Sequence, residues 1–252
     1  MSKEFEGMKV LVTGSSNGIG AEAAVQFAER GAGEVLVQYH SAKDEAEQVC
    51  ERIRRAGAKA EMFGADLSSR AGIQAFLAEL GERHIDILVN NAGSLIKRTP
   101  FLEFTEELWD QVITLNFHSA FSITRHILPQ MVERGRGFVV NISSVAARNG
   151  GGVGSIAYSS SKGGLSTMTK GLAREFAPLG IRVNGVSPGT IDTNFHRQFS
   201  NAEMLNRVKG ATPAGRLGDS AETAEVILFL CGDGARFIHG QMIEVNGGFL
   251  MV

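Results

Sequence analysis

Tyr158 and Lys162 are the pair with the clearest chemical capacity in the chain. Four positions apart on a helix, they share one face. A free phenol titrates near 10, too high for efficient proton transfer at neutral pH. A neighbouring ammonium favours the phenolate. Lowering the phenol by roughly two to three units takes about 3–4 kcal/mol, within reach of a close, partly desolvated charge. Ser143 and Ser144 lie upstream, and a serine hydroxyl there can hydrogen-bond a substrate oxygen. A lone Tyr-x-x-x-Lys is also an ordinary amphipathic helix face. It gains meaning only if the glycines and serines fall on the same edge of one sheet.

The second candidate site is the run Thr13-Gly14-Ser15-Ser16-Asn17-Gly18-Ile19-Gly20. Glycines at 14, 18 and 20 let a backbone turn tightly and approach a pyrophosphate. A helix opening near Ile19 would aim free N–H groups and its positive end at those phosphates. In a common dinucleotide pattern, an acid about 20 residues further on holds the ribose 2′-OH of NAD. Here the corresponding stretch reads Gln38-Tyr39-His40-Ser41, and no acid appears before Asp44. A carboxylate would repel a 2′-phosphate, so its absence at Tyr39 favours NADP, with NAD possible. His40, Ser41 and Lys43 are candidate donors, although Ser41 also suits a helix cap. Asp66, beside Leu67, suits either the adenine amino group or the cap of the next helix. Asn90-Asn91-Ala92-Gly93 suits either a flat ligand or a structural Asx turn.

The elements that must position these residues alternate strand with helix. Strands are expected at 8–13, 34–39, 59–64, 85–89, 137–142, 181–186 and 241–245, as short apolar runs closed by turn residues. Helices are expected at 19–30, 43–56, 70–80, 106–131, 158–176 and 222–231. Near-continuous apolar strands separated by helices imply a parallel sheet covered on both faces. The fold class expected is α/β: a doubly wound Rossmann-type sheet of about seven strands, residues 1–252 forming one domain, with a substrate lid at about 190–210. Such sheets bind ligands beyond the carboxyl ends of their strands, which is where the candidate residues fall.

The chain resembles the short-chain dehydrogenase/reductase family over nearly its full length. The motifs that carry the likeness are Thr13 to Gly20, Asp66-Leu67, Asn90 to Gly93, Asn116, Ser144, Tyr158 with Lys162, Ser187-Pro188-Gly189 with Ile191 and Thr193, and Asn246-Gly247-Gly248. The resemblance implies Ser144, Tyr158, Lys162 and Asn116 as the catalytic set. It implies a cofactor site from Gly14, Ser16, Asn17, Gly18, Ile19, Gly20, Tyr39, His40, Ser41, Asp66, Leu67, Asn90, Ala92, Gly93, Tyr158, Lys162, Pro188, Gly189, Ile191 and Thr193. Asn116 would hold a water linking Lys162 to solvent; by its residue type alone it is a polar side chain kinking a helix. Ser144 precedes Tyr158 by 14 positions, about one more than the family's usual spacing, and the glycine-rich run 150–154 can absorb the excess. Ser144 rather than Ser143 fits, since Val145-Ala146-Ala147 follows it. The implied activity is hydride transfer between NAD(P) and a ketone or secondary alcohol, with 3-oxoacyl-carrier-protein reductases and sugar or polyol dehydrogenases as the similar members.

Composition bounds the rest. The chain has 252 residues, 43% hydrophobic, with a formal net charge of -2, so it advertises no nucleic-acid-binding surface. Two cysteines make neither a disulfide framework nor a metal site. No signal peptide or membrane span is expected, which points to the cytoplasm. The substrate is expected to be a small carbonyl or alcohol met by 94–98, 149–155 and 190–210. The last segment mixes Phe195, Phe199, Met204 and Leu205 with His196, Arg197 and Arg207; His196 and Arg197 suit either an anionic group or the solvent-facing side of a lid. Apolar and small residues on several faces of the two long helices, and the apolar end 249–252, predict a homotetramer. A dinucleotide-binding sensor or scaffold without catalysis is the alternative of another class. A nucleotide-sugar epimerase is disfavoured by the short stretch after the sixth strand.

Overall fold

The computed structural model describes residues 3–252, apart from the side chains of His196 and Arg197. The reading of those two as partners of an anion therefore lies outside the described residues. Seven parallel strands form one sheet in the order β3-β2-β1-β4-β5-β6-β7. They are β1 (Lys9–Val12), β2 (Glu34–Tyr39), β3 (Lys59–Gly64), β4 (Ile87–Asn90), β5 (Gly137–Ile142), β6 (Ile181–Pro188) and β7 (Met242–Val245). Strand order reverses between β1 and β4, opening a crevice at their carboxyl ends. β4 and β6 are buried along their whole length, as expected of strands covered on both faces.

Helices α1 (Gly18–Glu29), α2 (Lys43–Arg55), α3 (Arg70–Leu80) and α4 (Glu106–Ile113) occupy the first half of the chain. After them come α5 (Ser119–Arg134), the single turn α6 (Ala146–Asn149), α7 (Ile156–Phe176), α8 (Asn194–Phe199), α9 (Ala202–Ala211) and α10 (Ser220–Cys231). The sheet separates two cores. On one face Val25, Phe27, Val49, Ile53, Ile227 and Leu228 pack from α1, α2 and α10. On the other Ile73, Phe76, Ile123, Ile127 and Met131 pack from α3 and α5. Each fully buried aliphatic or aromatic side chain contributes about 1.5–3 kcal/mol.

The helix expected over 106–131 is not continuous. It breaks into α4 and α5 around a widened π turn at Thr114–His118. The Ser119 N–H reaches back five residues to the Thr114 carbonyl. Asn116 sits inside this turn, and its Nδ2 donates to the Val112 carbonyl at 2.8 Å, serving a group the widening leaves short. Periodicity alone does not reveal such a turn, because the apolar face continues on either side. The expected cap at Ser41 is also corrected: Ala42 precedes α2 and no side chain caps it. Asp66 does not cap α3 either, since Ser69 does so by accepting from the Gly72 N–H.

Candidate active site

A cavity of about 890 Å³ runs along the carboxyl ends of the central strands. One end is lined by Gly14, Ser16, Asn17, Gly18, Ile19, His40 and Ser41. Its middle carries Asp66, Leu67, Ala92 and Gly93, and Pro188, Gly189, Ile191 and Thr193 close over it. Ser144, Tyr158 and Lys162 line the far end. Three of the four catalytic candidates and most of the glycine turn therefore share one crevice, although Gly14 and Ser144 lie more than a hundred positions apart.

The glycine end fits an anionic ligand. Asn17 precedes α1, and its side chain makes no cap hydrogen bond. The first N–H groups of α1 are therefore left to a ligand in the crevice, where the helix dipole favours phosphate. Gly14 and Gly18 have φ of 61° and 59°, and a Cβ on Gly14 would lie 2.8 Å from the Ala92 backbone. Gly20 plays another part than expected. It does not line the cavity; a Cβ there would lie 2.6 Å from the Gly14 carbonyl, so it serves close helix–strand packing.

Tyr39 also departs from expectation. Its ring lies over Gly64, where a Cβ would meet the phenol oxygen at 2.9 Å, and it is not among the lining residues. Strand alternation explains this: Gln38 and His40 line the crevice while Tyr39 packs on the core of the α1–α2 face. Asp66 does line it, with Oδ1 accepting from the N–H and hydroxyl of Ser68 at 2.9 and 2.6 Å. Burial pushes this carboxyl up, but the Ser68 bonds outweigh it and hold the pKa below the usual value. His40 stands 3.9 Å from the same carboxylate.

Asn90 turns away from the cavity. Its Nδ2 donates to Thr124 and Asn141 at 2.9 and 2.8 Å, bracing β4 against β5 and α5. The neighbouring Asn91, part of the Asn90–Gly93 run but not among the cofactor candidates, lines the crevice and donates to the carbonyls of Thr13 and Gly14. Its place in the same Asn-Asn pair was the available signal. Phe249 was missed as well: it faces the cavity rather than only an apolar surface.

At the far end the structure separates the two serines. Ser143 is buried, with its hydroxyl bound to the Lys162 carbonyl at 3.0 Å and to Ser166 at 2.8 Å. The Ser144 hydroxyl stands close enough to the Tyr158 phenol to favour its ionised form. Lys162 is 2% exposed, and its Nζ donates to the Ile142 carbonyl at 2.8 Å. Asn116 does not line the cavity, yet it stands beside Lys162: a Cβ on Gly93 would lie 2.6 Å from Asn116 Oδ1 and 3.0 Å from Lys162 Nζ. Only a residue without a side chain lets these groups converge.

Lys162 together with a bound cationic nicotinamide was expected to lower the Tyr158 phenol; the protein by itself does not show that shift. Instead burial pushes Tyr158 up to about 12, with Ser144 pulling it only partly back. Burial also brings Lys162 down to about 7. Its Nζ lies 5.6 Å from the Tyr158 ring centroid, and a half-neutral amine at that range exerts little field. Near neutral pH the phenol therefore holds its proton.

A parallel sheet with a phosphate-ready helix start at one end and a Ser–Tyr–Lys cluster at the other defines a nicotinamide-dependent oxidoreductase. The family described as Enoyl-(Acyl carrier protein) reductase matches residues 14–250. A 3-oxoacyl-[acyl-carrier-protein] reductase of Aquifex aeolicus is 38% identical over 251 residues, covering 98% of this chain and 99% of its own. A crystal structure of a gluconate 5-dehydrogenase from Burkholderia cenocepacia with NADP and tartrate superposes with a TM-score of 0.88 at 31% identity, covering 98% of this chain and 96% of that one. A 3-oxoacyl-[acyl-carrier protein] reductase with bound NAD from Brucella melitensis gives 0.89 at 32% identity, covering 100% and 94%. The chain belongs to the short-chain dehydrogenase/reductase family. It is an NAD(P)-dependent oxidoreductase acting between carbonyl and alcohol.

Proposed function

We propose that this enzyme reduces 3-oxoacyl thioesters with NADPH, and that Tyr158 is its proton donor. The observation that carries the substrate reading is the apolar lining contributed by Phe195, Met204, Leu205, Val208 and Phe249. The rings of Phe195 and Tyr158 lie 5.7 Å apart, so this lining continues up to the proposed acid. An acyl chain buries well against such a surface. A sugar-acid or polyol dehydrogenase is the second reading. Arg98, Gln111, Asn149 and Gln198 on the same cavity favour it, as does the likeness to the gluconate 5-dehydrogenase structure. The presence of Ser144, Tyr158 and Lys162 on one cavity speaks for catalysis over a silent scaffold.

Gly14, Ser16 to Ile19, Asp66, Leu67, Ala92, Gly93 and Pro188 to Thr193 would hold the cofactor, with Lys162 on the nicotinamide ribose. The nicotinamide supplies or accepts the hydride at the substrate carbon. In reduction the Tyr158 hydroxyl gives its proton to the carbonyl oxygen as charge develops there. The Ser144 hydroxyl stabilises that oxygen. Lys162 stands next to return a proton, and Asn116 holds the segment beside it.

The coenzyme preference rests on His40 and Ser41, which line the end of the cavity where no carboxylate follows β2. The test runs 3-oxoacyl thioesters, keto acids and polyols with NADPH and NADH in parallel. The wild type is expected to use NADPH better. Ser41→Asp brings a carboxylate to that wall, where Tyr39→Asp would start from a ring turned onto Gly64, and it should move the kcat/KM ratio toward NADH by about tenfold or more. A wild type that already prefers NADH overturns the coenzyme reading. Turnover of polyols alone overturns the thioester reading.

The enzyme is further proposed to be a cytoplasmic homotetramer. Cys50 and Cys231 are buried free thiols, consistent with a reducing compartment. Phe121 and Ile156 are exposed on α5 and α7, and Phe229 and Phe237 near α10, giving two apolar surfaces suited to two-fold pairing. Light scattering at micromolar concentration should give four chain masses. A mass of one chain overturns the assembly.

A further inference from the structure

Among the described residues, Ile96 alone combines a side chain with a positive φ, at 59°. That region is the least tolerated one for a β-branched residue. The Lys97 N–H donates to the Leu95 carbonyl at 2.6 Å. Ile96 is thus the centre of a γ-turn of the rarer, strained hand. The local sequence, Ser-Leu-Ile-Lys-Arg, holds no glycine or asparagine to ask for it.

The turn persists because both of its sides are fixed. Ser94 donates its N–H to Asn116 Oδ1 at 3.1 Å and accepts from Asn116 Nδ2 at 2.8 Å. The Ile96 N–H donates to the Ser94 hydroxyl at 2.9 Å. Beyond it, Arg98 donates to the carbonyls of Val153 at 2.7 Å and Phe199 at 3.2 Å. What this restraint achieves is position: Ile96 stands on the cavity wall between Ser94 and Arg98. Through Ser94 and Asn116 the wall is tied to the segment beside Lys162. A strained residue held in place by its surroundings at a ligand site points to a role in binding.

We propose that Ile96 is a specificity-determining residue. Its side chain is a fixed apolar wall that limits bulk next to the reacting carbonyl. The inference rests on the reading of this cavity as the carbonyl site. Two variants separate strain from space, Ile96→Ala and Ile96→Gly, since both remove the wall and only glycine relieves φ. At an ordinary φ, alanine is the more stable of the two. Here Ile96→Gly is expected to melt a few degrees above Ile96→Ala. The reverse order overturns the strained turn.

For the wall, kcat/KM with NADPH is measured on two pairs: ethyl acetoacetate with ethyl 2-methylacetoacetate, and cyclohexanone with 2-methylcyclohexanone. The ratio is read on whichever pair the wild type reduces. Both variants should shift it toward the branched member about tenfold, with NADPH affinity unchanged. A shift under about threefold overturns the specificity role. A wild type that reduces only the cyclic pair counts against the thioester reading and leaves the wall to be decided on that pair.

Discussion

Tyr158→Phe is expected to abolish turnover while leaving NADPH affinity nearly intact. The phenol oxygen is the proposed proton donor, and removing a positioned general acid costs on the order of a hundredfold to ten-thousandfold in kcat. The ring itself keeps its packing, with Phe195 at 5.7 Å. The fold should therefore survive, and the loss should fall on kcat rather than on coenzyme binding. Fluorescence titration gives the affinity, and steady-state kinetics give kcat. A variant retaining more than about a few per cent of wild-type kcat removes Tyr158 from the role of acid.

Lys162→Met should be inactive yet more stable than the wild type when no coenzyme is bound. Lys162 is buried, and its Nζ donates to the Ile142 carbonyl. Burial brings its pKa from 10.5 to about 7. Between those values the unfolded chain binds more protons than the folded one, so stability rises with pH. The penalty for the buried charge is fully present below pH 7 and gone above about 10.5. A shift of this size is worth on the order of a few kcal/mol, several degrees in Tm for a chain of this length. Methionine fills a similar volume without a charge. Its advantage should be largest at pH 6–7 and should shrink toward pH 10. Tyr158 titrates near 12 and acts in the opposite sense only above pH 10, so the window is clear of it. A Tm difference that stays flat from pH 6 to pH 10 would show that Lys162 is not depressed in the folded protein.

Much of this architecture was legible in the sequence because its signals are local. β2, β3, β5 and α3 fall on the expected residues, since each is an uninterrupted pattern closed by a turn residue or cap. The residues of the glycine turn and of α7 that line the cavity were legible because spacing on one element fixes direction. The readings that failed depend on neighbours distant in sequence. Tyr39 ends the strand where an acid was sought, but its ring turns onto Gly64 of the next strand. Asn90 and Asn91 are equivalent on paper; Thr124 and Asn141 claim the first and leave the second to the cavity. The Tyr158 phenol shifts opposite to the expected direction because desolvation dominates it, and burial is not written in a spacing.

The π turn at Thr114–His118 is one residue that an ordinary helix would not contain. Each residue advances a helix by about 100°. A widened turn absorbs an extra residue locally, so the faces of α4 and α5 keep their relation across it. Deleting one position here would close the turn into regular helix, and Asn116 would lose the widened carbonyl it now serves. A single-codon loss could therefore make the segment locally more regular and the enzyme worse, so selection for foldability and selection for activity pull on this short stretch from opposite sides.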